Sequence, residues 1–339
     1  MKHIQGIMLI NVEAGSLNNF GNDESSDNKN IMRTKTIKKG TWRNKETYPF
    51  ITGQALRYWW RNTLVEHFGW KMSPITRDKK IAFTEADPIT YPDDDVFGYM
   101  RAESKQTITR DSQLKNSTLI STINTTPTVD FGVMNRQSGD PVPFEKEFYS
   151  TIFKETFNLN IDEVGVFVND NRSGYQNLSD DLLKEAEKQG LSHPAENTYI
   201  QSKDVRVKRC QDVINSIPLL NGGANTTLQY NNVSPQLIIS AFVEGGNNIF
   251  MNTIQEETNS NGDKTGKTII DTEALLETIN DYKHLIDGEI YIGIRKGFMD
   301  TTKKQLETLA EENPNITIGT VMEVTNKLSE RIPEVINDY

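Results

Sequence analysis

The chain contains few of the residues that build covalent cross-links and soft-metal sites. Its 339 residues include one cysteine, Cys210, and four histidines that are widely separated in the sequence. A single thiol excludes an intrachain disulfide framework and any zinc or iron–sulfur site held by several cysteines. The histidines are His3, His67, His193 and His284, and their scatter argues against a histidine-rich cluster. We therefore predict that the protein holds no metal and no other cofactor.

Long apolar runs are also missing. Hydrophobic residues make up 35% of the chain and charged residues 25%, which predicts a modest core with long polar loops. The first segment, MKHIQGIMLINVEA, is interrupted by Gly6 and Asn11 and lacks the long apolar stretch and cleavage site of a secretory signal. No later window reaches the length of a membrane span. The sequence therefore predicts a cytoplasmic protein without a membrane partner.

Positive charge is in the minority but is clustered. The chain has 37 Lys and Arg against 47 Asp and Glu, a net charge of -10, which excludes a uniformly basic protein that coats nucleic acid. Residues 28–45 nevertheless contain no acid, and their cations include Arg33, Lys35, Lys38, Lys39, Arg43 and Lys45. Trp42 lies among them, and this mixture favours phosphate contacts with aromatic stacking. A solvated β-hairpin with a buried tryptophan is an equally good interpretation.

A second basic segment opens the helix that we predict over residues 203–220. Its cations are Lys203, Arg206, Lys208 and Arg209, and a loop at residues 221–235 follows. Arg206 and Arg209 are three residues apart and share a helix face. The backbone N–H groups around Gly222 and Gly223 can approach a phosphate closely, because no Cβ intervenes. These residues alone favour the alternative, an ordinary flexible loop tip.

The segment after Thr52 predicts a helix that ends at Gly69. Apolar residues recur along it with helical spacing and predict its buried face: Leu56, Trp59, Trp60 and Leu64. Arg57 and Arg61 are four residues apart and share a different face. They point either toward a bound strand or into surface ion pairs, and the sequence does not separate these two cases.

The remaining pattern predicts an α+β protein with helices on one face of a sheet. Residues 70–116 look irregular and read as an insertion. Strands are expected at residues 3–13, 117–135, 164–168, 237–244 and 289–297. Further helices are expected at residues 144–157, 179–190 and 272–286, and two more are opened by the capping-box spacings that start at Thr302 and Thr320.

Signatures of catalysis are absent from the sequence. There is no phosphate-binding loop, no dinucleotide fingerprint and no nucleophile elbow. Three successive aspartates at residues 93–95 offer carboxylates to a divalent cation, but adjacent side chains diverge and such runs are typical of solvated loops. His67 as a general base and Cys210 as an activated thiol are alternatives, although both are more often structural or surface residues. We predict no enzymatic activity.

Several segments match a known family in the same order along the chain. They are YPFITGQALRYWWRNTL (48–64), DDDVFGYM (93–100), TRDSQLKNSTLIST (109–122), DFGVMNR (130–136), PVPFEKEFYSTIF (141–153), VGVF (164–167), RVKRCQDVINSIPLLNGGANTTLQYNNVSP (206–235) and FVEGGNNIF (242–250). Together they cover most of residues 1–297. This ordered set resembles the DevR/Cst-type backbone subunits of type I-B CRISPR Cascade complexes.

The resemblance implies a fold and a task. The fold is a modified RNA-recognition-motif (ferredoxin-like) palm over residues 1–339, with a finger-like insertion at 70–116 and a thumb-like segment at 203–235. The task is structural and is not enzymatic. Copies stack head-to-tail along a CRISPR guide RNA, hold it independently of its sequence and present it for pairing with target DNA, alongside other Cascade subunits.

The resemblance also implies which residues face the guide. On the palm they are Lys35, Lys38, Lys39, Arg43, Lys45, Gln54, Arg57 and Arg61. Near the thumb they are Lys203, Arg206, Lys208, Arg209, Gly222, Gly223 and Ala224, and two further cations, Arg110 and Arg136, lie in matched segments. Two alternatives remain. One is an RNA-processing endoribonuclease of the same superfamily, and the other is a transcriptional regulator, although no helix-turn-helix signature is visible.

Overall fold

The structure, a computed structural model, describes residues 1–22, 31–78, 81–102, 107–134 and 140–338. The helices are α1 (Gly53–Phe68), α2 (Pro92–Phe97), α3 (Asp180–Lys188), α4 (Lys203–Ser216), α5 (Thr272–Asp281), α6 (Asp300–Glu312) and α7 (Val321–Val335). Among the residues described, no helix is both long and apolar enough to cross a bilayer.

Strands precede α1 and lie between each pair of successive helices. They are β1 (Lys2–Gly15), β2 (Asn19–Asn22), β3 (Ile31–Thr34), β4 (Thr36–Gly40), β5 (Lys45–Ile51), β6 (Ile75–Asp78), β7 (Ile81–Thr84), β8 (Tyr99–Ala102), β9 (Thr107–Arg110), β10 (Leu114–Asn116), β11 (Leu119–Ser121), β12 (Thr128–Met134), β13 (Val142–Asn160), β14 (Val166–Val168), β15 (Ser192–Ala195), β16 (Thr198–Ile200), β17 (Leu237–Glu244), β18 (Ile254–Thr258), β19 (Lys264–Ile270), β20 (Ile286–Ile294) and β21 (Ile316–Gly319). The protein is therefore mixed α+β, as predicted.

One large sheet organises the chain, in the order β21-β20-β17-β1-β13-β11-β5-β4. All neighbours along this path are antiparallel except β20 and β21. The central strand β1 is buried on both faces, because its apolar residues occupy both sides of the alternation. The prediction of a strand at residues 3–13 is confirmed.

Apolar cores cover both faces of the sheet. One core contains Trp60 and Phe153 and packs α1, α4 and α7. The other contains Ile7 and Leu9 and packs α5 and α6. The expectation of helices on one face only was wrong, because the second apolar row of β1 requires cover as well.

The helix expected at residues 144–157 was also wrong, because these residues belong to the long strand β13. Its apolar residues satisfy both a helical and an alternating pattern. Tyr149, Phe153 and Phe157 are buried on one side, while Ile152 and Lys154 lie on the other. Pairing with β1 and β11 decides between the two patterns, since β13 supplies the ladder between them.

The two C-terminal helices differ in how well their starts were predicted. Thr320 and Glu323 form the expected capping box at the start of α7, which confirms that prediction. Thr302 does not open a helix, because α6 already begins at Asp300 and Thr302 is buried within it.

The insertion at residues 70–116 is more regular than expected. It forms the hairpins β6–β7 and β8–β9 with the short helix α2 between them, and its last strand, β10, joins the large sheet beside β13. The aspartates at residues 93–95 lie in α2 and are buried, so the expectation of a solvated loop was wrong.

Candidate nucleic-acid interface

The basic residues 35–45 form an exposed hairpin at the edge of the sheet. Strands β4 and β5 pair so that Lys38 lies opposite Thr47 and Lys39 opposite Glu46. Lys38, Lys39, Arg43 and Lys45 are exposed and Lys35 is half-buried. Trp42 at the tip is 78% exposed, so the interpretation with a buried tryptophan was wrong. We call residues 35–45 the basic hairpin.

Cations of the basic hairpin lie next to aromatic rings. The guanidinium of Arg43 lies 4.7 Å from the centre of the Trp42 ring, and Lys39 Nζ lies 4.6 Å from the ring of Tyr48. A cation beside an exposed indole suits a strand that offers phosphates on one side and base faces on the other. Binding of RNA by this surface stays a prediction.

Strand β5, which begins at the end of the basic hairpin, leads into the N-terminus of α1. Thr52 caps the helix, with its Oγ1 accepting the N–H of Ala55 at 3.2 Å. Gln54 is exposed in the first turn, and together with Gly53 and Lys115 it borders an open cleft. The N–H groups of the first turn carry a partial positive charge. The N-terminus of α1 therefore adds partial positive charge at one end of β5, whereas Lys45 and the hairpin tip lie at its other end.

Arg57 lines this cleft, and hydrogen bonds to its own chain hold its side chain in place. Its guanidinium donates to the carbonyls of Leu114 and Phe97, both at 2.6 Å, and to Ser112 Oγ at 3.0 Å. Burial, with the charge of Arg61, lowers the pKa of Arg57 to about 10. With most of its donors already used, Arg57 contributes charge and positions the cleft rather than reaching outward.

Arg61 lies one turn further along α1. Its guanidinium rests 4.1 Å from the centre of the Phe97 ring. Burial lowers the pKa of Arg61, and the charges of Asp93 and Asp94 oppose that effect. The Arg57 guanidinium lies 5.0 Å from the same ring, because a spacing of four residues places the two side chains on one face of the helix.

Arg110 and Arg209 lie inside the protein, not on a surface for RNA. Arg110 donates to Asp95 Oδ1, and Arg209 Nη1 donates to Asp95 Oδ2 at 2.6 Å. All three side chains are at least nine-tenths buried. Arg110 further donates to the carbonyl of Val166 at 2.8 Å. We call Arg110, Arg209 and Asp95 the buried ionic cluster. It joins α2, β9 and α4, and we leave these two arginines out of the RNA surface.

The other cations of α4 are also bound within their own chain. Arg206 is 2% exposed and donates to the carbonyls of Val164 at 2.9 Å and Asp162 at 3.0 Å. Lys203 pairs with Asp338 and Lys208 with Asp212, each at 2.9 Å. The predicted helix is present, but the face shared by Arg206 and Arg209 is its buried face.

A signal for this burial was present in the sequence. Arg206 and Arg209 recur at helical spacing with Val213 and Ile217, both of which are buried. An arginine within such a stripe packs inward with the apolar residues. In this helix, a basic residue is buried when it lies within the apolar stripe. The number of basic residues in the segment does not indicate which of them are buried.

The start of the glycine loop at residues 221–235 packs on its own chain, whereas Leu228 and Tyr230 further along the loop are exposed. A Cβ on Gly222 would lie 2.2 Å from Trp59 Cγ, and Gly223 has φ +107 with Leu17 beneath it. The N–H of Ala224 donates to the carbonyl of Leu17 at 3.1 Å. These contacts explain both glycines by internal packing.

Replacement of Gly222 with alanine is expected to destabilise the fold by about 1–3 kcal/mol, because the added methyl overpacks Trp59. Gly246→Ala is the matched control, since a Cβ there meets nothing closer than 3.9 Å. Thermal unfolding of both variants tests this expectation. Equal midpoints would show that the loop does not pack on Trp59.

The structure shows the surroundings of the remaining sequence candidates that lie within the described residues. Arg136 lies outside the described residues. Asp93 accepts the N–H of Ser73 at 3.0 Å, and burial raises its pKa to about 6. No group of three or more metal-ligating side chains occurs within the described ranges. Burial raises the pKa of the Cys210 thiol, which disfavours a nucleophile. His67 is exposed in the last turn of α1.

Two further lysines lie at this interface, and the sequence did not indicate either of them as a site residue. Lys115 borders the cleft at α1, and Lys154 lies on β13 behind the basic hairpin. Both are isolated cations in the sequence, and the helix expected at residues 144–157 placed Lys154 on no particular surface. Only the strand register brings it next to residues of β4 and β11.

Comparison with known proteins supplies the family. The protein-family model described as CRISPR-associated negative auto-regulator DevR/Csa2 matches residues 4–259. The comparison with curated proteins found no match. A chain from a CRISPR RNA-guided surveillance complex is similar at 11% identity and a TM-score of 0.52, covering 97% of this chain and 98% of its own. A second, from a pre-nicking complex, has 11% identity and a TM-score of 0.56, with 97% and 100% covered. The chain therefore belongs to the DevR/Csa2 family of CRISPR-associated proteins.

Proposed function

We propose that this protein is a structural backbone subunit of a Cascade-type complex that binds CRISPR guide RNA independently of sequence. Copies stack head-to-tail along the guide and present it for pairing with target DNA, together with other subunits. The observation that carries the proposal is the exposed basic hairpin with Trp42, which β5 connects to the N-terminus of α1. Cations and an aromatic face hold phosphates and stacked bases without reading base edges.

The arrangement of the central sheet supports an RNA-recognition-motif palm. In chain order, β1, α1, β11, β13, α4 and β17 follow the βαββαβ pattern of ferredoxin-like folds. In space, the four strands lie side by side in the order β17-β1-β13-β11 and are antiparallel. Helices α1 and α4 share the core on one face. We propose that residues 70–116 form the finger.

We propose a thumb other than residues 203–235, because Arg206, Arg209 and Gly222 of that segment pack on their own chain. Strand β12 pairs with the first part of β13 to form an arm, which β3 and β2 extend. The arm exposes Val129, Phe131 and Val133 in alternate positions, which places them on one face. Such a projecting apolar face suits contact with a neighbouring copy and its guide segment.

The first test is the nucleic acid that co-purifies with the protein. Expression in its host, isolation and sequencing of the bound fraction should recover guide RNAs with unrelated spacers. Electron microscopy of the same material should show several copies in regular spacing. Specific duplex DNA in place of RNA would contradict the proposal and favour the transcriptional regulator.

We expect no cleavage of RNA or DNA, with or without divalent cations. His67 lies 15 residues after Thr52, about 22 Å along the helix axis from the electropositive end of α1, so a base there does not face the proposed RNA surface. Incubation of labelled RNA with wild type and His67→Ala checks this. Product from wild type and none from His67→Ala would favour the endoribonuclease.

A further inference from the structure

A pocket lined by both polar and apolar side chains lies on the sheet face behind the basic hairpin. It encloses about 330 Å³, a volume within the range of small-ligand sites. We call it the Lys154 pocket. Its polar lining includes two lysines and a row of hydroxyl side chains, namely Lys39, Lys154, Ser117, Thr118, Thr122 and Thr156.

The strand register builds this pocket. Lys154 on β13 lies directly opposite Ile120 on β11, and Ile120 lies opposite Phe50 on β5. Strand β5 then pairs with β4, which carries Lys39. Residues directly opposite each other share a face of the sheet. Two lysines 115 positions apart in the sequence therefore face the same space.

The loop before β18 forms the opposite wall and holds Lys154 in place. Lys154 Nζ donates to the carbonyls of Ile254 at 2.9 Å and Met251 at 3.2 Å. An ammonium group has three donors, so one N–H remains directed away from these carbonyls. Two neutral carbonyl groups thus hold the ammonium group of Lys154 beside the pocket.

The charge in the pocket is not balanced by its lining. Burial, with the charge of Lys39, lowers the pKa of Lys154, the response expected of a cation without a neutralising partner. None of the residues that line the pocket is an acid. The carboxylate of Glu46, on the neighbouring strand, binds Lys264 and the hydroxyl of Tyr48.

We propose that the Lys154 pocket binds a phosphate group, supplied either by the backbone of single-stranded RNA or by a free nucleotide. Two ammonium groups supply charge, and the hydroxyls of Thr118 and Thr156, which line the pocket, donate to the phosphate oxygens. No side chain of the lining repels an anion. The RNA form of this inference rests on the proposed function, and it adds Lys154, which lies in neither of the basic segments of the sequence.

The experiment compares Lys154→Gln with Lys327→Gln in the full chain. Lys327 is an exposed lysine on α7, which packs on the other face of the sheet, so its loss removes the same charge from a remote position. Fluorescence anisotropy measures binding of a labelled single-stranded RNA over a range of salt concentrations. A parallel titration uses adenosine 5′-monophosphate and follows heat release.

For Lys154→Gln we expect RNA affinity about fivefold lower near 0.1 M salt and a salt slope flatter by about 0.7, the loss of one phosphate contact on a single strand. Lys327→Gln should bind as wild type does, and Lys154→Arg should retain most of the affinity. Loss with RNA assigns the backbone as the phosphate source, and loss with the mononucleotide alone assigns a free nucleotide.

A second variant keeps Lys154 and its hydrogen bonds. Met251 is 53% exposed at the rim of the pocket, and Met322 on α7 is 42% exposed. Met251→Glu places a carboxylate beside Lys154 and should weaken phosphate binding, whereas Met322→Glu should not. Folded Lys154→Gln and Met251→Glu proteins that bind both ligands as wild type does would overturn the pocket. Absence of RNA binding by wild type would instead contradict the proposed function, while the mononucleotide titration still tests the pocket.

Discussion

Replacement of Asp95 with asparagine is expected to lower the free energy of unfolding by about 3–5 kcal/mol. The change removes the one carboxylate that both Arg110 and Arg209 contact, and it leaves two buried guanidinium groups with only carbonyls and an amide as acceptors. It also weakens the acceptor of the Gly165 N–H. Chemical denaturation followed by circular dichroism measures the loss.

The matched control for Asp95 is Asp181→Asn. Asp181 pairs with Lys184 at 3.0 Å, but its side chain is 94% exposed, and such surface pairs contribute little. The control should unfold at the wild-type denaturant concentration. Similar unfolding curves for both variants would mean that the buried ionic cluster does not join α2, β9 and α4.

Simultaneous replacement of Lys38, Lys39 and Arg43 with alanine should weaken binding of unrelated single-stranded RNAs alike. The loss of three phosphate contacts predicts an affinity lower by on the order of 100-fold near 0.1 M salt, with a salt slope flatter by about 2. The sequences should lose affinity equally, because these side chains hold the backbone and not base edges. Filter binding across salt concentrations provides the measurement.

A second triple variant controls for net charge. Lys283, Lys304 and Lys327 are exposed lysines after α5, on α6 and on α7, and their replacement with alanine removes the same three charges. This variant should keep both the affinity and the salt slope of wild type. Equal losses in the two triple variants would indicate diffuse attraction and would remove the basic hairpin from the site.

The contrast between the two basic segments has a structural cause. The basic hairpin lies at the sheet edge, where the cations of β4 face no neighbouring strand in the described sheet order. The cations of α4 lie on a helix that packs against α1 and α7, so Arg206 and Arg209 meet carbonyls and a carboxylate. A cluster of lysine and arginine residues therefore marks an exposed surface in the hairpin, whereas in α4 its two arginines belong to a polar core.

Capping and periodicity, both local properties, determined much of the fold. Thr52 and Gly69 bound α1 as its sequence predicted, and the capping box at Thr320 opens α7. The exposure of the basic hairpin could also be predicted from the sequence. A run of cations without acids has no nearby carboxylate in the chain with which to form buried ion pairs. The family resemblance followed from residues spread over the same range that the family model matches.

Only the tertiary structure decided the burial of the arginines and the identity of β13. The residues of β13 satisfy two periodicities, and pairing with β1 and β11 selects the strand. Arg209 and Asp95 are 114 positions apart, so no local pattern indicates that their charges meet. The Lys154 pocket depends in the same way on the register of four strands. Contacts between distant segments, which periodicity does not encode, separate the cations available to RNA from those that hold the fold together.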